Sequence, residues 1–233
     1  FSSEQEEQQF HVHFIEYDTK NNNKTIQDFS LVMNEKIEGI VGDNLPDSDK
    51  ISIVMHSQGG LVGSIWLFRS LQRLEGYGSD LIDNVDCFMT FGTPFWGAKT
   101  AIFAKRIKDE FSKVGIDLPL PFGTKQLGDM EFGSDWSYHM RTAIIESDSN
   151  DQLTLETKGI RFLNVAGIAD VLSPLGHFVS GGANYEDDSA VPLPSSRFNF
   201  LYHVNGVVKE IDWSPYYLVD ALHLSPLPEE RSL

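Results

Sequence analysis

Ser57 has the surroundings of a nucleophile. It ends a run of β-branched and apolar residues, Ile51-Ser52-Ile53-Val54-Met55-His56, and is followed by Gln58-Gly59-Gly60 and a helix-like run from Leu61 to Leu74. A strand that turns sharply into a helix pushes the turn residue's side chain out of the sheet edge. It also aims the first N–H groups of the helix at whatever that side chain attacks. A serine hydroxyl in such a turn still needs a base to take its proton, a carboxylate to orient that base, and donors for the developing oxyanion.

The elements that would position these groups can be read from periodicity. Phe10, Val12 and Phe14 alternate with His11 and His13, which predicts a strand running into Ile15 with the histidines as surface or packing residues. Thr25 with Asp28 three residues on predicts a helix start. Ile26, Phe29, Met33, Ile37 and Ile40 keep a helical period up to Gly42. Further strands are predicted over Ile51–Met55, Val85–Phe91, Ile160–Ile168 and Phe198–Val208. Strands alternating with helices imply an α/β protein with a mostly parallel sheet covered by helices on both faces. Its ligands bind at the carboxyl ends of the strands. Ser57, Thr93, Asp170 and the loop before Phe198 gather at that edge.

Residues 1–233 fit one domain, interrupted by a helical lid or cap insertion over about 97–158. Within the insertion Phe103, Ile107, Phe111 and Val114 form the apolar stripe of one helix, Leu118-Pro119-Leu120-Pro121-Phe122 breaks it, and a second helical piece runs near Trp136–Ile145. The net charge of −16 argues against nucleic-acid binding and against electrostatic docking on anionic lipid. A single cysteine, Cys87, excludes an internal disulfide and reads as a small core residue. No apolar run approaches the roughly 18 residues of a membrane-spanning helix. Metal ligation has no support from a spaced His/Asp/Glu set, and no metal or organic cofactor is expected.

Three segments carry a resemblance. His56-Ser57-Gln58-Gly59-Gly60 resembles the nucleophile elbow of the α/β-hydrolases, and within them the lipase-like serine esterases. Phe91-Gly92-Thr93-Pro94-Phe95-Trp96-Gly97 is similar to their GTP-x-x-G segment. Glu186-Asp187-Asp188-Ser189-Ala190-Val191-Pro192 with Ser195-Ser196 resembles their acid loop. The resemblance implies an α/β-hydrolase fold and a carboxylic ester hydrolase acting on lipid or acyl esters through an acyl-enzyme. Ser57 would be the nucleophile, Asp188 the acid and His223 the base, because the chain order is Ser, acid, His and His223 follows the last expected strand. Asp170, directly after the Ile160–Ile168 strand, stays open as an alternative acid; Asp187 is read as a solvated neighbour. His56, His139, His177 and His203 fit the base position less well.

One oxyanion donor is expected from the Gln58 N–H. The second normally comes from a loop after an earlier strand, and no such loop precedes Phe10. The early strands are therefore expected to be absent from this chain, with an N-terminal segment as the partner that would supply the rest of the fold and the oxyanion loop. Met55 stands where the elbow pattern has glycine or a small residue, so it needs extra room. A catalytically inactive fold that binds a lipid or protein, or an acyltransferase or amidase using the same triad, are the alternative functions.

Overall fold

The computed structural model describes residues 10–42, 45–46, 48–78, 80–116, 122–149, 158–168, 188, 190–211 and 216–219. Its centre is a parallel sheet of four strands in the order β1-β2-β3-β6: β1 (Ile51–His56), β2 (Val85–Phe91), β3 (Arg161–Gly167) and β6 (Tyr216–Val219). Helices α1 (Ile26–Val41), α2 (Gln58–Leu71), α3 (Lys99–Lys113), α4 (Thr124–Asp129) and α5 (Asp135–Ser149) supply the crossovers and the layers around it, with a short α6 (Leu193–Ser196) after the acid loop.

Helix α1 begins where its side chains say it must. Thr25 Oγ1 accepts from the Asp28 N–H at 3.1 Å and the Asp28 carboxylate accepts from the Thr25 N–H at 2.7 Å, a reciprocal cap. Asp129 of α4 adds a third bond to the same helix end, accepting from the Ile26 N–H at 2.9 Å. Ile26, Phe29, Met33 and Ile37 are buried on one face, as their spacing predicts. Trp66 of α2 donates its indole N–H to Asn34 of α1 at 2.8 Å, which satisfies two buried polar groups where the helices pack.

An aromatic cluster sits where β2, β3 and the segment after α6 meet. Phe162 stacks on Phe88 at 5.0 Å and meets Phe198 at a tilt at 4.8 Å, and Phe95 meets Phe198 edge-on at 5.1 Å. This packing fixes the loop that follows β2.

Three sequence expectations change, and one helix is added. Residues 10–15 form no strand, and Phe10, Val12 and Phe14 are 80%, 76% and 88% exposed. A strand needs a neighbour to take its backbone hydrogen bonds, and this segment pairs with none among the described residues. The run 198–208 is not one strand but an antiparallel hairpin, β4 (Phe200–Val204) and β5 (Val207–Ile211), turned at Asn205-Gly206 with φ of 50° and 81°. Both turn residues take the left-handed region that Asn-Gly adopts readily, so the last sheet strand is β6 instead. The α3 stripe also differs: Phe103, Phe111 and Val114 are exposed, while Ala101 and Lys108 are buried. The Lys108 ammonium reaches the Phe122 carbonyl at 3.2 Å, so a long amphipathic side chain fills the inward face. The added helix is α4, six residues that are too few to show a helical period of their own.

Candidate functional site

Ser57 stands between β1 and α2 with φ 54° and ψ −128°, a backbone state that residues bearing a Cβ rarely adopt. Its N–H donates to the Phe91 carbonyl at the end of β2 (2.9 Å), and its carbonyl accepts from the Gly60 N–H (3.0 Å). Both bonds hold the strained turn at the carboxyl edge of the sheet. Gln58 is the first residue of α2, so its N–H is one of the helix donors without an intrahelical partner.

The glycines of the elbow are explained by close approach. A Cβ on Gly60 would lie 1.9 Å from Thr93 Oγ1 and 2.8 Å from Thr93 Cβ. The elbow and the Gly92-Thr93-Pro94 segment are thus two halves of one packing contact, which neither motif reveals alone. The room that Met55 demands comes from Gly63, one turn further along α2: a Cβ there would fall 2.1 Å from Met55 Sδ. The sequence carries this signal as a third glycine in Gly59-Gly60-Leu61-Val62-Gly63.

The loop before α6, the expected acid loop, is built around Asp188, which is 2% exposed. Its Oδ1 accepts from the N–H groups of Ala190 (3.1 Å) and Val191 (2.8 Å). The Ala190 carbonyl in turn accepts from the Thr100 hydroxyl of α3 at 2.9 Å. Ser195 ties this loop to the one after β2. Its hydroxyl donates to the Gly97 carbonyl (2.5 Å) and accepts from the Trp96 N–H (3.2 Å). The Trp96 indole donates to the Arg197 carbonyl at 2.7 Å, and Arg141 of α5 stacks over the Trp96 ring at 4.5 Å. The three segments picked out by the sequence are therefore joined, Thr93 to Gly60 at one end and Gly97 to Ser195 at the other.

Ser57 and Gln58 open onto a cleft of about 2080 Å³. Ala190 and Val191 line it beside Asp188, and so do Ala101 and Ala104 of α3 with Phe122, Leu127 and Met130. Residues 10–17 also line it, as do β1 and the following elbow, residues 51–58. Tyr17 closes the cleft near the elbow, its hydroxyl 3.6 Å from where a Cβ on Gly59 would be, and burial pushes its pKa up to about 12. The phenol there is a neutral donor at any working pH.

His223, the alternative acid Asp170, and Asp187 and His177 lie outside the described residues. By sequence His223 comes four residues after the end of β6. His203 is exposed on the β4–β5 hairpin, away from the parallel sheet, and His139 is exposed on α5. No helix among the described residues is long and apolar enough to cross a membrane.

Residues 2–107 match the model of a family described as "Putative serine esterase (DUF676)". None of the curated proteins compared with the chain matches it. Among solved structures, phospholipase PlaB from Legionella pneumophila superposes with a TM-score of 0.61 at 14% identity, covering 88% of this chain and 43% of PlaB. The mature lipase BlEst2 from Bacillus licheniformis superposes with a TM-score of 0.51 at 17% identity, covering 86% of this chain and 68% of BlEst2. The chain thus spans less than half the length of PlaB, and with it shares a fold.

Proposed function

We propose that this chain, which has the α/β-hydrolase fold and resembles the lipase-like serine esterases, is the catalytic part of a carboxylic ester hydrolase acting on lipid or long-chain acyl esters. The observation that carries the reading is the strained Ser57 turn, at φ 54°, on the first N–H groups of α2 and open to an apolar-walled cleft. Ser57 Oγ attacks the acyl carbon while His223 accepts its proton. The oxyanion forms against the Gln58 N–H. Collapse expels the alcohol, which leaves with the proton from His223, and water releases the acyl group by the reverse order of steps. Asp188 holds the His223 tautomer and stabilises the imidazolium; Asp170 is the alternative for that role.

Residues 97–158 act as a cap that walls the acyl site through Ala101, Ala104, Phe122, Leu127 and Met130. The open edge of β1 is where a further strand and the second oxyanion donor dock. Support for this comes from β1 lying at the edge of the sheet among the described residues, with its Val54 64% exposed, beside a cleft lined by residues 10–17 and 51–58. The structural neighbours, named as a phospholipase and a lipase, fit a lipid ester.

Active-site labelling of the full-length protein with a fluorophosphonate, alongside turnover of p-nitrophenyl esters of increasing chain length, tests this reading. Label on Ser57, absent in Ser57→Ala, with turnover rising with chain length is expected. A folded protein that takes no label and turns over no ester is an inactive acyl-binding member of the fold, and the proposal fails. Faster transfer to an alcohol or amine than to water would reassign the acceptor and make it an acyltransferase.

A further inference from the structure

The Gln58 side chain belongs to a short polar chain that starts outside the elbow. Gln126 of α4 donates through Nε2 to the Asn21 carbonyl at 3.0 Å, and its Oε1 accepts from Gln58 Nε2 at 3.0 Å. Gln126 is fully buried and Gln58 is 3% exposed. The polarity of this chain is forced. A backbone carbonyl can only accept, so the Gln126 amide must turn its NH₂ towards Asn21, leaving its oxygen for the NH₂ of Gln58. The remaining polar atom, Gln58 Oε1, is buried without a partner among the described residues. Among those residues the bond from Gln126 is then the one polar hold on the Gln58 side chain.

The anchor at the far end is itself rigid. The Gly123 N–H donates to the Thr19 carbonyl at 2.8 Å, and the Thr124 N–H to Asn22 Oδ1 at 3.1 Å. A Cβ on Gly123 would sit 2.2 Å from the Asn21 oxygen, so the start of α4 and the 19–22 loop are pressed together as closely as glycine permits. Strained backbone persists only where its surroundings over-determine it. Ser57 is such a residue, and the residue after it is tied to α4.

We infer that Gln126 is a positioning residue for the Ser57–Gln58 turn: through the Gln58 carboxamide it fixes the direction of the Gln58 N–H on which the oxyanion forms. This rests on the hydrolase reading above and deepens it, because it makes part of the cap a determinant of the oxyanion site and not only a wall of the pocket. Without the Gln126 oxygen both ends of the Gln58 amide are orphaned in a buried place, the side chain must leave, and the first turn of α2 shifts with it. A misplacement of this kind acts on the transition state and leaves ground-state binding in the cleft largely untouched.

The experiment compares the wild-type protein with Gln126→Leu, Gln58→Leu and the double variant. The readouts are kcat and KM for p-nitrophenyl butyrate, the second-order rate of fluorophosphonate labelling at Ser57, and the melting temperature. Q126L is expected to lose at least fivefold in kcat and in labelling rate at temperatures well below its melting point, with KM within twofold. The double variant is expected to be no worse than the weaker single variant, because both substitutions cut one bond. A loss below fivefold, or a loss that falls on KM alone, overturns the inference. If Q126L does not fold, Q58L cuts the same bond from the elbow side and is held to the same threshold. Failure of the wild-type protein to label at Ser57 overturns the hydrolase reading; normal wild-type labelling with an unchanged Q126L rate overturns the positioning role alone.

Discussion

Gly60→Ala tests the contact that joins the elbow to the loop after β2. The added methyl would meet three atoms of Thr93, at 1.9, 2.7 and 2.8 Å, all of them close to the backbone of a β-branched residue and none at the far end of a flexible chain. Rotation about χ1 cannot clear them all, so the loop or the helix must move. Overpacking of this sort costs about 1–3 kcal/mol. Replacing a helical glycine by alanine returns roughly 0.5–1 kcal/mol, leaving a net loss of about 0–2.5 kcal/mol, centred on about 1 kcal/mol. For a domain of this size a loss of about 1 kcal/mol lowers the melting temperature by about 2–4 °C. Thr93→Ala removes two of the three clashing atoms. Its hydroxyl is buried without a hydrogen-bond partner among the described residues, so its loss forfeits only about 1 kcal/mol of methyl burial. The double variant G60A/T93A should therefore be more stable than the sum of its singles by about 1 kcal/mol or more, with some strain left against the remaining Cβ. Urea melts of the four proteins measure this. Additivity to within about 0.5 kcal/mol, or a G60A variant more stable than wild type, would refute the packing argument.

Ser57→Gly should be more stable than Ser57→Ala by about 1 kcal/mol, since glycine relieves strain at φ 54° and both lack the hydroxyl; equal stability in denaturant melts would mean the turn stores no strain. Asp188→Asn keeps an oxygen for the Ala190 and Val191 N–H groups, so it should stay folded yet lose ester turnover more than a hundredfold. Asp188→Ala orphans the buried Val191 donor as well and should lose about 1–3 kcal/mol. Near-normal turnover by D188N would hand the role of acid to Asp170. The two carboxylates at the α1 N-terminus should titrate in opposite senses. The Thr25 N–H and hydroxyl lower the Asp28 pKa, so its stabilisation is present above the ordinary value of 3.8 and disappears as pH falls through the lowered one. Burial raises the Asp129 pKa, so its charged form opposes folding increasingly as pH rises from 3.8 through the raised value. Stability measured from pH 7 down to pH 4 should thus rise in wild type relative to Asp129→Asn, and carried on below pH 4 it should fall in wild type but not in Asp28→Asn; a flat difference for Asp129→Asn above pH 4, or for Asp28→Asn below it, removes the corresponding assignment.

Much of the frame was legible because local and global preferences agree. Thr25 and Asp28 open α1 where the pattern of Ile26, Phe29, Met33 and Ile37 begins, and Gly42, at φ 68°, closes it. β2 spans Val85–Phe91 as its residues predict, and β3 matches to within a residue at each end. The misreadings share a cause, a local pattern with a tertiary answer. The alternation of Phe10, Val12 and Phe14 marks strand-forming residues, but a strand exists only with a partner at its edge. The Phe198–Val208 run is strand-like throughout, yet Asn205-Gly206 inside it is a two-residue hairpin signal that outweighs the continuity of the apolar residues. On α3 the largest apolar residues point outward because Lys108 can bury its stem and still reach a carbonyl, an exchange that counting hydrophobic residues does not reveal.

At the site, the sequence pattern picked out the Ser57 turn and the Asp188 loop but not the reasons for their neighbours. Ser195 looks like part of a catalytic motif and is instead the bolt between that loop and Gly97. Met55 reads as a defect in the elbow when only the five residues of the pattern are considered. Eight positions later Gly63 supplies the missing volume, so the side chain that should crowd the turn lies along α2. The glycine requirement of the elbow has moved from the strand to the helix facing it. That exchange weakens the case for an inactive protein, since the strained serine, and not the identity of the residue two places before it, is what an attack on an acyl carbon requires. A Met55→Gly variant should accordingly leave a void beside Gly63 and lose stability, where a true elbow defect would be repaired by it; a gain in melting temperature for M55G would show that the crowding is real and uncompensated.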